Sequence, residues 1–157
     1  MPIRPKNLRF YLSLDGLGGP ITSTEVDGKS LFPEVRGLDA ERGLVDHRCI
    51  YFINNDANTD GLMDACLWFD RAANASTLEI GLDPAGQNAE AQRIEAGGTP
   101  TGIGFVVPTN ALMPLYLPGT AYQQGDYVAL WLRRTVPKGS PPQDEKFVLH
   151  ITGESYA

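Results

Sequence analysis

Apolar residues recur along this chain mostly with a period of two, the spacing of a strand that buries one face. The clearest run is 127–136, where Val128, Leu130 and Leu132 alternate with Tyr127, Ala129 and Trp131, which predicts a half-buried strand. Segment 147–152 repeats the pattern with Phe147, Leu149 and Ile151 on one face. The turn-rich PKGSPPQDE between the two runs predicts a C-terminal hairpin. Further strands are expected over 9–14, 48–53, 62–69, 77–82, 102–107 and 112–117, bounded by glycine, proline, asparagine and aspartate.

Turn signals separate these short strands, and no helical pattern of 10 to 15 residues lies between them. That favours an all-β chain built as a single antiparallel β-sandwich, immunoglobulin-like or jelly-roll-like, with a small barrel as the alternative. GLDAERGL at 37–44 fits a helix of one or two turns that caps one end. Gly 17 and Pro 12 in 157 residues reinforce the expectation of frequent turns. The length suits one domain, with residues 1–8 as an extended N-terminal arm.

A formal net charge of −6 argues against a sequence-independent nucleic-acid binder, which needs a basic surface to displace phosphate counterions. Residues 96–125 carry no charge, but Pro100, Pro108, Pro114 and Pro118 interrupt them, so no membrane-spanning helix is expected. MPIRPKNLRFYLSL lacks the apolar core and small-residue site of a secretory signal, which points to assembly in the cytoplasm.

The sharpest local motif is DANTDG, which sets Asp56, Asn58 and Asp60 at positions one, three and five of a calcium loop, with Gly61 at six and Asp64 at nine. Position twelve is Leu67, not the bidentate glutamate that an EF-hand needs. The expectation is a polar hairpin tip held by Asx-turns, with no metal and no cofactor. A hairpin centred there sets Cys49 opposite Cys66. It groups Ile50 and Phe52 with Met63, Ala65, Leu67 and Phe69 on one face, and Cys49, Tyr51, Cys66 and Trp68 on the other. Without an export signal, both cysteines are expected to be reduced.

Catalytic signatures are absent from the sequence: no G-x-S-x-G, no H-E-x-x-H and no reactive-cysteine context beside His47 or His150. His150 alternates with Leu149 and Ile151, which makes it an outward strand residue. Asp39 and Glu41 would serve glycoside chemistry only if the fold aimed them into a cleft. The glycines at 16–19 precede no helical pattern, so they read as a flexible turn and not as a phosphate loop. No enzymatic activity is expected.

Aromatic residues on faces that the alternation points outward are more informative: Tyr51 and Trp68, then Tyr127 and Trp131, with Arg133 following. Such residues anchor protein–protein contacts by joining a large contact area to a polar or charged tip. Either they form an interface or loops of the same domain cover them.

Several segments together resemble a family of small tailed-phage virion proteins: RFYLSLDGLGGPITSTEV, HRCIYFINN followed by ACLWFD, LEIGLDPAG, YVALWLRRTVPKG and FVLHITGES. The likeness spans most of the chain and departs from the family in the basic opening PIRPKNLRF and the acidic DANTDG tip. It implies a non-enzymatic structural subunit of a virion, assembled in the host cytoplasm. Such a subunit serves in capsid decoration, at the neck or tail, or in the baseplate. The partners implied are other virion proteins and further copies of the chain. The competing expectation is a carbohydrate- or receptor-binding β-sandwich module, in which the same Trp and Tyr residues stack on sugar rings near a calcium ion.

Overall fold

The computed structural model describes residues 5–26, 31–32, 37–57, 61–71, 77–109, 112–119, 121–139 and 147–154. A 3-10 turn at Pro5–Asn7 leads into β1 (Leu8–Ser13), and a second at Leu14–Gly16 leads into β2 (Gly18–Gly19) and β3 (Ile21–Glu25). The short helix α1 (Gly37–Arg42) precedes β4 (Leu44–Asn54), β5 (Met63–Arg71) and β6 (Thr77–Gln87). Then come β7 (Ala91–Arg93), β8 (Leu115–Tyr116), β9 (Tyr127–Val136) and β10 (Phe147–Glu154). The chain is all-β and the pairings of its described strands are antiparallel, as the period-two pattern and the lack of helical segments between the strands predict. Among the described residues no helix is long and apolar enough to cross a membrane.

Five strands form the larger sheet in the order β3-β1-β4-β9-β6, three form a second sheet in the order β10-β5-β8, and β2 pairs with β7. One buried cluster joins the two larger sheets: Ile50 and Phe52 of β4, Val128, Leu130 and Leu132 of β9, and Ala65, Leu67 and Phe69 of β5. These residues alternate along their strands, so one face of each sheet turns to this shared core.

The opposite face of the larger sheet is apolar as well. Cys49, Tyr51, Ala129 and Trp131 form a second cluster with Ala91, closed over by Ile94, Ile103, Phe105 and Tyr127. The segment from β7 to Phe105 lies across this face like a strap. At Gly81 a Cβ would stand 2.4 Å from Ile103 Cγ2 and 2.9 Å from the Gly104 carbonyl oxygen, so the close approach requires glycine in β6. At Gly18 a Cβ would fall 1.8 Å from the Gln92 carbonyl oxygen, and φ is +88°. The glycines expected to form a flexible turn are thus in part a strand, with Gly18 and Gly19 buried against β7.

The strap corrects the expectation that 127–136 is half-buried: Val128 to Leu132 are wholly buried, since both faces of β9 are covered. It also corrects both predicted hairpins. β9 is flanked by β4 and β6, which leaves it no edge for β10, and β10 pairs with β5 in the other sheet. The two edges of β4 are taken by β1 and β9, so β5 cannot lie beside it. Cys49 therefore stands opposite Trp131, and Cys66 opposite Thr152 and Tyr116. The two thiols are buried and free, on the faces of two sheets that point away from their common core. Sheets stacked about 10 Å apart cannot bring such groups within disulfide reach.

Smaller differences follow the same logic. Segment 102–107 contributes only a bridge from Val106 to Ile80 rather than a strand, and 112–117 shortens to the two residues of β8. The helix stops at Arg42, and Leu44 already belongs to β4. Of the expected N-terminal arm, residues 1–4 lie outside the described residues, Pro5–Asn7 form a 3-10 turn and Leu8 opens β1.

Candidate functional site

The outer face of the three-stranded sheet is the site the strands build most openly. Register places Cys66 between Thr152 and Tyr116, Trp68 beside His150, and Asp70 beside Val148. Directly paired residues share a face, so these side chains stand together while Leu67, Phe69, Leu149 and Ile151 turn to the core. The Trp68 and His150 rings stack at 5.2 Å with an interplanar angle of 14°. His150 Nε2 lies 2.7 Å from Asp70 Oδ2, which makes an indole–imidazole–carboxylate row across the two strands. Tyr116 and Val148 extend the same face and are 62% and 57% exposed.

One edge of β5 is closed by the segment that follows the strap. Phe69 N–H donates to the Pro108 carbonyl oxygen at 2.9 Å, and Leu117 N–H donates to the Ala65 carbonyl oxygen at 2.8 Å. Between these two attachment points lie the described residues Leu112 and Met113. Leu112 is 93% exposed and Met113 is 76% exposed. Single exposed apolar residues are ordinary, but two adjacent ones on a loop framed by Pro108 and Pro114 concentrate the apolar exposure of this region. Sequence reasoning missed Leu112, Met113 and Tyr116 because a run of apolar residues between prolines reads equally well as a strand. The signal available was the absence of charge across 96–125.

Of the five aromatic and arginine positions expected to form an outward interface, the structure brings three together inside the molecule. Tyr51 and Trp131 are fully buried in the second cluster, which corrects their outward placement. Tyr51 Oη donates to the Gly19 carbonyl oxygen at 2.5 Å and accepts from Ala91 N–H at 2.8 Å, tying β4 to β2 and β7. Tyr127 is partly buried and meets the Tyr51 ring edge-on at 5.6 Å. Arg133 grips Glu79 through two hydrogen bonds of 3.0 and 2.8 Å and lies 4.2 Å over the Phe105 ring, so its charge is already matched within the chain. Trp68 alone of the five belongs to the open face described above.

Burial governs the titratable groups. It pushes the Cys49 thiol up to about 12 against a smaller opposing pull from the Ser13 hydroxyl, which leaves a protonated and inert sulfur. It raises Cys66 as well, with Asp64 adding to the shift. The Tyr51 and Tyr122 phenols are each pushed up to about 12, again chiefly by burial. His47 is lowered below 6.5 by burial first and by the neighbouring Arg133 second. Its ring packs on Phe105 at 5.8 Å, and its buried Nε2 has no hydrogen-bond partner.

The calcium-like tip falls largely outside the described residues, since Asn58 and Asp60 are not among them. Asp56 is buried and accepts from Asn7 Nδ2 at 2.9 Å, so that carboxylate already anchors the start of β1. Among the described residues no group of three histidine, cysteine, aspartate or glutamate side chains is placed to hold a metal. Glu41 is exposed on α1, and the Asp39 side chain lies outside what the structure describes.

No family model, no curated protein and no solved structure matches the chain.

Proposed function

We propose that the chain is a non-enzymatic structural subunit of a tailed-phage virion, a single β-sandwich domain assembled in the host cytoplasm that acts through protein–protein contacts. The observation that carries this reading is the exposed apolar surface formed by Leu112, Met113 and Tyr116, mounted on a well-buried β-framework. Exposed apolar groups of this kind lose their contact with water when a partner covers them, which drives association. The segments that resemble small virion proteins supply the identity of the assembly, and the partners proposed are other virion proteins and further copies of the chain. Mass spectrometry and immunogold labelling of purified particles test it: a stoichiometric, regularly placed signal is expected, and particles free of the protein would overturn the assignment.

The second reading, a carbohydrate- or receptor-binding module, draws on Trp68 in the open face of the three-stranded sheet. One side of that indole is already stacked by His150, so a sugar ring would have to use the other. A glycan array probed with the purified protein and a Trp68→Ala variant separates the two. Binding that depends on Trp68 would favour this reading over the first.

A further inference from the structure

We infer that the strap is a pH-sensitive cover: protonation of His47 releases residues 95–105 from the larger sheet and uncovers the apolar face of Tyr51 and Trp131 while the strands stay paired. The inference goes beyond the reading of the chain as a virion subunit and does not depend on it.

Side chains make the hold on the strap. Backbone hydrogen bonds fix its two ends, from Ile94 N–H to the Leu17 carbonyl oxygen at 2.8 Å and in both directions between Val106 and Ile80 at 2.9 Å. Among the described residues no backbone group between those ends bonds to the backbone of the sheet, and the bond from Gly98 N–H to the Glu95 carbonyl oxygen stays within the strap. Gln92 holds Thr101 through bonds of 2.9 and 2.8 Å, but both are exposed to water. A segment held in this way opens more easily than the ladders beneath it.

His47 lies where the strap closes. It alternates with Cys49 and Tyr51, so its ring is on the covered face, and it is only 5% exposed. The ring packs on Phe105 of the strap at 5.8 Å, and Arg133, its register partner on β9, lies 4.2 Å over the same Phe105 ring. Its buried Nε2 has no hydrogen-bond partner. A proton there sets a second cation beside Arg133 and leaves a buried N–H without an acceptor. The other charges around the site do not absorb it. Glu79 of β6 is committed to Arg133, Arg93 of β7 pairs with Asp15, and Glu95 of the strap is exposed. On β4 itself Arg48 opposes the charged ring, while Asp46 and the Gly98 backbone favour it, and burial and Arg133 outweigh both. The neutral ring therefore suits the closed strap, and the charged ring gains water once the strap lifts. Each pKa unit between the closed and open forms corresponds to about tenfold in the opening equilibrium, and the effect sets in below the ordinary histidine value of about 6.5.

Hydrogen exchange of the purified full chain at pH 7.5 and pH 5.0, corrected for the intrinsic pH dependence of exchange, tests the inference. Peptides covering 94–106 are expected to lose about tenfold in protection at pH 5.0, whereas those of β4 and β9 keep theirs. Hydroxyl-radical footprinting of the same samples is expected to gain label on Tyr51 and Trp131 at the lower pH. His47→Gln and His47→Phe, two uncharged replacements of different shape, are each expected to keep the strap protected at pH 5.0, so that either variant decides the point if the other does not fold. His150→Gln, on the outer face of the three-stranded sheet, is expected to open as the wild type does. Equal strap protection at the two pH values in the wild type would overturn the inference. So would acid loosening that takes β4 and β9 along with the strap, or an acid response that survives the loss of His47.

Discussion

The indole Nε1–H of Trp131 donates to Asp83 Oδ2 at 2.8 Å, with both residues buried. The same carboxylate also accepts from the backbone N–H of Gln92 at 3.3 Å and of Ala85 at 2.9 Å. One buried charge thus links the centre of β9 to β6 and to the strap that covers them. Replacing it with Asp83→Ala leaves the buried Trp131 indole and the part-buried Ala85 and Gln92 amides without this acceptor, at a cost of about 3 kcal/mol in unfolding free energy. Asp83→Asn keeps a carbonyl acceptor and is expected to lose less. Urea unfolding followed by tryptophan fluorescence checks both, and a loss below about 0.5 kcal/mol for the alanine variant would show that the strap does not depend on this bond.

Tyr51 holds the same end of the strap one residue earlier, at Ala91. Tyr51→Phe removes the donor to the Gly19 carbonyl oxygen and the acceptor for Ala91 N–H while keeping the ring. Unfolding free energy is expected to fall by about 1 to 3 kcal/mol, the usual penalty for unsatisfied buried groups. Amide hydrogen exchange is expected to quicken at Gly18–Gly19 and Ala91–Arg93 before it does so in β4. Uniform quickening across the larger sheet would mean that strap and sheet open together.

His47 gives the protein a pH dependence of definite sign. Burial and Arg133 lower its folded pKa, so below about 6.5 the unfolded chain takes up a proton that the folded one resists. The contribution of this group to stability is therefore complete above that pH. It is lost as the pH falls from 6.5 toward the folded value. A His47→Gln variant is expected to flatten the slope of unfolding free energy between about pH 7 and pH 5.5. Parallel slopes for the two proteins would show that His47 is not the group responsible.

The cysteines are expected to stay unlinked. Cys49 and Cys66 face away from each other across the shared core, so mild oxidation of the folded protein should yield no intramolecular crosslink. Thiol reagents are expected to label Cys49 only on unfolding, because its sulfur is buried and its pKa is pushed up to about 12. Peptide mapping after oxidation checks the first point, and a Cys49–Cys66 bridge in folded protein would contradict the sheet assignment of β4 and β5.

Local pattern determined the longer strands and the side chains that share a face, but not β2, β3 and β7, and it overextended 102–107 and 112–117. The run at Tyr127–Val136 is β9 to the residue, and Ile50 and Phe52 do lie in one core with Leu67 and Phe69. Alternation encodes which way a side chain points, because the pleat reverses direction at every residue. It does not encode which strand lies alongside, since an apolar face fits a neighbour in the same sheet and a neighbour across the core equally well. For that reason β4 and β5, close in sequence, were open to pairing in a hairpin, and only the tertiary structure assigned them to different sheets.

The same limit applies to exposure. Tyr51 and Trp131 do point away from the main core, as their spacing requires, but the strap that buries them arrives from residues 91–105, some 40 positions after Tyr51 and 30 before Trp131. Leu112 and Met113, in a stretch the period-two pattern assigned to a strand, are the most exposed of the large apolar residues described. Which apolar groups are covered is decided by where distant segments come to rest, and that depends on contacts between residues whose separation in sequence carries no periodic signal.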